Sequence, residues 1–471
     1  MSTTFSPARA FRRSAAQLPL RSIAASVASI ATLLVGSASA RTPAPLVAVP
    51  QLEQCQTESH PRLPEKWHAT YLLAPFTNAQ LVLADIVYDG SLSAMRVRLH
   101  GVRHGSLDLA VVGAHTYALS SRDDDTPCED LGDTGWRPLP RDWLTAGSQC
   151  VGSASLGDTA TDWWKTPVDP APSTYWLWSK SSDRTPFRLA FEAPSERLGV
   201  LSEFALAYQV RFEPLSGSNL SGVATACRPA ARQPRANAAQ KLRDRIAAMS
   251  QAPERADEEI AHVMPELAAC PATPLPRWPD RLAITGLMTP WDADHNPSGT
   301  EVLYDWSARA QRTRVFPREA GRPVQEALLV GTRGFDVSRS RANGPVCRAV
   351  LPGAIKPDWP SRGLCSCEAM ITQKTPLTPL GATRIFTCPL ASPRAAWAWY
   401  AMDGRPTSFA VTALRGDQGA GLFATLDYRD WLPDHAIPHS AFARPAQCEK
   451  ANAPARASDN ICSTCHLGDA R

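Results

Sequence analysis

Met95-Arg96-Val97-Arg98-Leu99-His100 alternates apolar with polar side chains, and Phe204-Ala205-Leu206-Ala207-Tyr208-Gln209-Val210-Arg211-Phe212 returns to the same two-residue period later in the chain. That period marks half-buried β-strands, because successive side chains of an extended backbone point to opposite faces. An apolar face must then be covered, either by packing two sheets together or by curling one sheet around a hollow or a helix. With 42 prolines, 27 glycines and 14 tryptophans in 471 residues, short strands and irregular connections are expected rather than a helical protein. The fold class is therefore mainly β, built of antiparallel curved sheets or sandwiches.

The cysteines show that this unit occurs twice. Cys55, Cys128, Cys150 and Cys227 are separated by 73, 22 and 77 positions, and Cys270, Cys347, Cys367 and Cys448 by 77, 20 and 81. Other signals recur in the same order. Trp67 answers Trp278, Tyr88-Asp89 answers Tyr304-Asp305, and Val112-Gly113 with Tyr117 answers Val330-Gly331 with Phe335. Trp176-Leu177-Trp178 followed by Pro186 and Leu189 answers Trp397-Ala398-Trp399 followed by Pro406 and Phe409. A fixed spacing of this kind is the signature of a duplicated structural unit. The expected organisation is two tandem β domains, 55–227 and 270–448, joined by a short helical linker at 228–269, where Leu242, Ile246 and Met249 recur at helical spacing before Pro253. Four cysteines per copy allow two bridges with three possible pairings, and Cys365 with Cys388 suits a third bridge in the second copy.

Residues 1–40 read as a signal peptide. Arginines up to Arg21 precede an apolar segment from Ile23 to Gly36 and the small-x-small triplet Ala38-Ser39-Ala40. A mitochondrial transit peptide and a twin-arginine signal are the competing readings. Removing the leader takes away Arg9, Arg12, Arg13 and Arg21 and no acid, so the formal net charge of +4 falls to zero. Electrostatic steering toward nucleic acid has no support. No apolar run reaches the roughly 18–20 residues of a membrane span. Twelve cysteines fit an oxidising compartment, so the protein is expected to be exported, periplasmic or extracellular.

The second copy resembles the ependymin-related proteins. It does so in Cys270 with its prolines and Trp278, in Tyr304-Asp305, in Cys347 after an apolar strand, in Trp399, and in the closing Phe442-x-x-Pro445-x-x-Cys448. The first copy shares the opening but closes differently at Cys227. That resemblance implies a secreted, disulfide-bonded protein with the bacterial lipoprotein-carrier shape, a curved antiparallel sheet around an apolar hollow that binds a hydrophobic ligand without catalysis. Against it, the tryptophans, Trp163-Trp164 among them, serve equally well as core residues.

After Cys448 a polar tail, 449–471, leads to Cys462-Ser463-Thr464-Cys465-His466, the pattern that attaches haem c. Two thiols at this spacing add to the vinyl groups on one porphyrin edge, and the adjacent imidazole ligates the iron. His466 is the proximal candidate, and His435 and His439 are candidates for a distal ligand, with Met402 behind them. A terminal disulfide between Cys462 and Cys465 is the main competitor. Zinc would need about four ligands where the tail offers three.

The chain lacks His-Glu-x-x-His, the phosphate-cradling Gly-x-x-x-x-Gly-Lys and the Gly-x-Ser-x-Gly elbow, and Asp123-Asp124-Asp125 reads as a solvated loop. No catalytic residue is assigned. The resulting expectation is an exported, non-enzymatic protein whose β domains bind a hydrophobic small molecule, a lipid or a partner, with a haem c for one-electron transfer or gas binding, and a redox partner protein where electrons are transferred. The alternatives are an electron-transfer subunit or catalytic part of a periplasmic redox enzyme, and a haem-free secreted binding or adhesion protein.

Overall fold

Each half of the chain forms one antiparallel sheet, and the two sheets share a strand order. The computed structural model describes residues 45–56, 59–76, 81–101, 105–119, 128–137, 147–168, 173–192, 201, 204–218, 220–227, 235–251, 264–265, 267–272, 276–290, 296–319, 322–340, 344–350, 356–358, 365–372, 378, 381–389, 395–414 and 420–449.

The first sheet contains β1 (Lys66–Pro75), β2 (Val82–Asp89), β3 (Ala94–Gly101), β4 (Ser106–Val112), β5 (His115–Leu119), β6 (Glu129–Gly132), β7 (Gln149–Leu156), β8 (Thr159–Val168), β9 (Ser173–Lys180), β10 (Pro186–Phe191) and β11 (Phe204–Pro214). From β1 the strands run as neighbours to β6 at one edge. On the other side of β1 lies β11, followed by β10, β9, β8 and the edge strand β7. The edges do not pair with each other, so the sheet is not a closed barrel.

The second sheet contains β12 (Leu267–Ala268), β13 (Arg281–Pro290), β14 (Ser298–Asp305), β15 (Ala310–Phe316), β16 (Gln325–Val330), β17 (Arg333–Ser340), β18 (Gly344–Val350), β19 (Ser366–Ile371), β20 (Thr383–Pro389), β21 (Ala395–Ala401), β22 (Pro406–Leu414) and β23 (Ala420–Pro433). Here β13 takes the place of β1 and β23 that of β11, with the two-residue β12 added beside β19. A single bridge between Glu53 and Ser153 stands in the corresponding place of the first sheet. Around the sheets lie the helices α1 (Leu220–Ala226), α2 (Arg235–Gln251) and α3 (Ala446–Glu449). Helix α2 buries Leu242 and Met249.

Several repeated sequence signals turn out to be turn chemistry. Asp89 caps the turn after β2 by accepting from the Ser91 N–H at 3.0 Å, and Asp305 accepts from the Ala308 N–H at 3.1 Å after β14. Both turns end on a left-handed residue, Ser93 at φ 46° and Arg309 at φ 45°. Gly113 and Gly331, each at φ 59°, open the two-residue hairpins that join Val112 to His115 and Val330 to Arg333. A positive φ at the first central position is what glycine supplies there.

The disulfides repeat as well. Cys55–Cys150 and Cys270–Cys367 span 95 and 97 positions, and Cys128–Cys227 and Cys347–Cys448 span 99 and 101. Cys365–Cys388 closes a span of 23 beside β19 and β20. All ten of these cysteines are thereby paired.

Two expectations change. Trp67 and Trp278 are not equivalent in register, because Leu282 is the residue opposite Tyr304 as Trp67 is opposite Tyr88. The two indoles nonetheless reach those tyrosines at similar distances, 5.3 Å and 5.4 Å. Strand β11 is buried on both faces from Phe204 to Gln209 rather than half-buried, because the second sheet covers its other face.

Candidate functional site

Residues opposite one another in adjacent antiparallel strands share a face, so the register defines what each sheet presents. On the first sheet, Trp163, Trp178, Arg188, Tyr208 and Leu72 form one row across β8, β9, β10, β11 and β1. On the second, Ile385, Trp399, Ser408, Asp427 and Leu287 form the equivalent row across β20, β21, β22, β23 and β13. The next rows are Trp176, Ala190, Leu206 and Ala74 on one sheet, and Trp397, Ala410, Thr425 and Thr289 on the other.

These rows face each other. The Arg188 guanidinium donates to Asp427 with Nη1 to Oδ1 at 2.7 Å and Nη2 to Oδ2 at 2.5 Å. The Tyr208 and Trp399 rings lie 5.1 Å apart, and the five tryptophans of these rows belong to one continuous apolar core. The contact is that of a two-fold dimer built within a single chain, since equivalent rows meet across it. Its symmetry is broken where Arg188 corresponds to Ser408 and Tyr208 to Asp427.

The electrostatics follow from burial. Arg188 and Asp427 side chains are 2% and 7% exposed. Burial opposes the charged guanidinium, but the neighbouring Asp427 carboxylate outweighs it and holds the arginine pKa above its ordinary value. Arg188 also stands 4.0 Å over the Trp178 ring, and Ser408 Oγ donates to Asp427 Oδ1 at 3.0 Å. Burial pushes the Tyr208 hydroxyl up to about 12.

Hydrogen bonding divides the tryptophans of the two sheets. Trp163 Nε1 donates to Thr161 Oγ1 at 2.9 Å and Trp164 Nε1 to Ser179 Oγ at 3.1 Å. Trp176, Trp178, Trp397 and Trp399 are at most 1% exposed, yet their Nε1 groups have no hydrogen-bond partner among the described residues. The same holds for Arg188 Nε, Thr289 Oγ1 and Thr425 Oγ1. A buried polar group left without a partner costs about 1–3 kcal/mol, and native interiors rarely leave one so. Seven such atoms on two facing surfaces make this seam the candidate site, although single atoms of the same kind, Trp67 Nε1 and Arg312 Nε among them, are buried elsewhere.

A second shared feature is a charged quartet on β2, β3 and β4 and its counterpart on β14, β15 and β16. Asp85, Arg96, Arg98 and Asp108 correspond by register to Glu301, Arg312, Arg314 and Glu326. In the second copy Leu46 and Val47 donate their backbone N–H groups to Glu301 Oε1 at 2.7 and 2.9 Å. A Cβ on Gly299 would come within 2.4 Å of the Pro50 carbonyl, so this segment lies directly on β14. In the first copy His68, where the second has Ala283, meets Asp85 at 2.6 Å.

Of the residues expected from sequence, Cys462, Cys465 and His466 lie outside the described residues, as do Asp123, Asp124 and Asp125. His435 is half-buried after β23, and His439 is exposed in the turn His439–Phe442. Met402 is also exposed. Among the described residues, no group of three or more His, Cys, Asp or Glu could hold a metal ion, and no helix is long and apolar enough to cross a membrane. Sequence reasoning found the paired tryptophans but missed Arg188 and Asp427, which lie 239 positions apart. The likeness between the copies also extends ahead of Cys55 and Cys270. Val49-Pro50-x-Leu52-x-x-Cys55 matches Met264-Pro265-x-Leu267-x-x-Cys270, and Leu52 and Leu267 are both buried.

No protein-family model matches the chain, and no curated protein matches it. Similar solved structures include an uncharacterized conserved protein from Thermus thermophilus, 12% identical over 34% of this chain and 84% of that one, with a TM-score of 0.22. A LolA superfamily protein from Nitrosomonas europaea is 12% identical over 36% of this chain and 92% of that one, with a TM-score of 0.20. A mutant of transferrin binding protein B from Haemophilus parasuis is 6% identical over 80% of this chain and 78% of that one, at 0.15. Likenesses at these scores locate no residue and carry no argument about function.

Proposed function

We propose that this chain is an exported, non-enzymatic binding protein that holds a hydrophobic ligand between its two sheets and carries a haem c on Cys462-Ser463-Thr464-Cys465-His466 for one-electron transfer or gas binding. The observation that carries the ligand half is the seam itself, where Trp176 and Trp178 face Trp397 and Trp399 in an apolar interior that leaves their N–H groups unanswered. Apolar surroundings with a few convergent polar groups are what small-molecule sites offer. The resemblance to ependymin-related proteins supports the same reading.

For the haem half, ten of the twelve cysteines close among themselves. Cys462 and Cys465 are the two cysteines outside these five bridges. His466 would supply the proximal imidazole and His435 or His439 the distal one. Five disulfides fit an oxidising compartment, and the periplasm is where haem c attachment and disulfides coexist in this proposal.

Native mass spectrometry of the mature, haem-loaded protein is expected to show one apolar molecule per chain. An alkaline pyridine spectrum is expected to show haem c bands that disappear in Cys465→Ala. A folded, colourless protein with the mass of its amino acids alone would overturn both halves.

A further inference from the structure

The seam carries several buried donors. An indole Nε1–H donates and cannot accept, and the same is true of arginine Nε–H. Trp176, Trp178, Trp397 and Trp399 thus present four buried donors, and Arg188 Nε a fifth, with no acceptor among the described residues. Of the equally buried indoles, Trp163, in the same row as Trp178, and Trp164 find hydroxyl oxygens at 2.9 and 3.1 Å, whereas Trp67 Nε1, away from these rows, has no hydrogen-bond partner among the described residues. On the facing surfaces, four indole N–H groups and Arg188 Nε are thus buried without an acceptor among the described residues, beside the unpaired hydroxyls of Thr289 and Thr425.

Charge narrows the class further. The one guanidinium in the rows, Arg188, is matched by Asp427 through two hydrogen bonds, so this pair leaves no net charge for a ligand to neutralise. A cationic ligand would bring more donors into a donor-rich interior. A pure hydrocarbon would fill apolar space and leave the indoles as they are. The donors are also arranged in two register-equivalent pairs, one on each sheet, because Trp176 corresponds to Trp397 and Trp178 to Trp399.

We infer that the seam takes a neutral, apolar molecule bearing carbonyl or ester oxygens, which accept hydrogen bonds from these tryptophan N–H groups. This inference rests on the reading that the seam holds a hydrophobic ligand, and adds to it the chemistry by which that ligand is recognised.

The test uses the full mature chain, delipidated and labelled with 15N-tryptophan, with the seam indole signals assigned from single Trp→Phe variants. Methyl decanoate and decane have a similar chain and differ in the ester. Methyl decanoate is expected to bind at least about tenfold tighter than decane and to move the Nε1–H signals of Trp176, Trp178, Trp397 or Trp399 downfield. Decane is expected to bind without moving them. Equal affinity for the two probes, stronger binding of decylammonium, or movement confined to other indoles would overturn the inference while leaving a hydrophobic site standing. Water cross-peaks at the seam indoles that persist when methyl decanoate is added would also overturn it, since water would then be the missing acceptor. Binding of neither probe, together with no co-purified molecule in native mass spectra, would instead sink the ligand reading on which it depends.

Discussion

Arg188 of the first sheet and Asp427 of the second are locked in a two-pronged hydrogen-bonded ion pair within the core that joins them. Two charges taken out of water hold only because each answers the other. Asp427→Ala is expected to destabilise the protein by about 3–5 kcal/mol, because it leaves a buried guanidinium uncompensated. The double variant Arg188→Met/Asp427→Leu is expected to recover most of that loss. Urea unfolding of the two single variants and the double variant measures the coupling, and simple addition of the single losses would contradict a shared pair.

The His68–Asp85 contact makes part of the first copy pH-dependent. The hydrogen bond to Asp85 raises the His68 pKa above 6.5. Asp85 feels burial, which opposes its ionisation, but the bond to His68 outweighs it and lowers its pKa below 3.8. The histidine contribution is therefore fully present below its unfolded pKa and disappears as pH rises through its raised folded value. The aspartate contribution is present above the unfolded value and disappears as pH falls through the depressed one. His68→Ala is expected to lose most stability between about pH 4 and 6 and to approach the parent as pH rises through the raised histidine value. A difference that grows with alkalinity would reverse the assignment.

Much of this architecture is legible in the chain because the signals are local. The alternation at 95–100 becomes β3, and the cysteine spacings become two pairs of equivalent bridges. Tyr88-Asp89 and Tyr304-Asp305 repeat because each aspartate caps a turn. The misreading of Trp67 and Trp278 has a physical source, since an indole can reach the same tyrosine ring from different backbone positions. The seam was less legible. Its tryptophans stand out in sequence, but nothing local tells that they face a second set. Arg188 and Asp427 look like ordinary outward residues of alternating strands until the two sheets meet.

The segment from Leu46 to Pro50 ties the start of the described chain to the second sheet through Glu301, whose other oxygen accepts from Arg314 Nε at 2.7 Å. Glu301→Ala is expected to lower the stability of the second sheet by about 3–5 kcal/mol, because it removes the carboxylate that the buried Arg314 guanidinium donates to. Glu301→Gln, which keeps an acceptor for the two backbone N–H groups, is expected to cost less. Hydrogen exchange at the Leu46 and Val47 amides should speed up in the alanine variant. Unchanged protection there would show that Glu301 does not hold the segment.

The disulfides differ in the length of chain they close. Replacing Cys128 and Cys227 by serine is expected to cost about 2–5 kcal/mol, and replacing Cys365 and Cys388 about 1 kcal/mol less on chain-entropy grounds. Thermal unfolding of both double variants checks the order. A larger loss from the 23-position bridge would mean that local packing around Phe386 and Tyr400, rather than loop closure, sets its contribution.

The measurement closest to the central claim is native mass spectrometry of the exported chain beside its Trp178→Ala/Trp399→Ala variant, each shown by circular dichroism to keep its β structure. The parent should carry one apolar molecule per chain and the variant none. A folded parent that stays empty in the presence of methyl decanoate, or a folded variant that retains its ligand, would place the binding site elsewhere than between the two sheets.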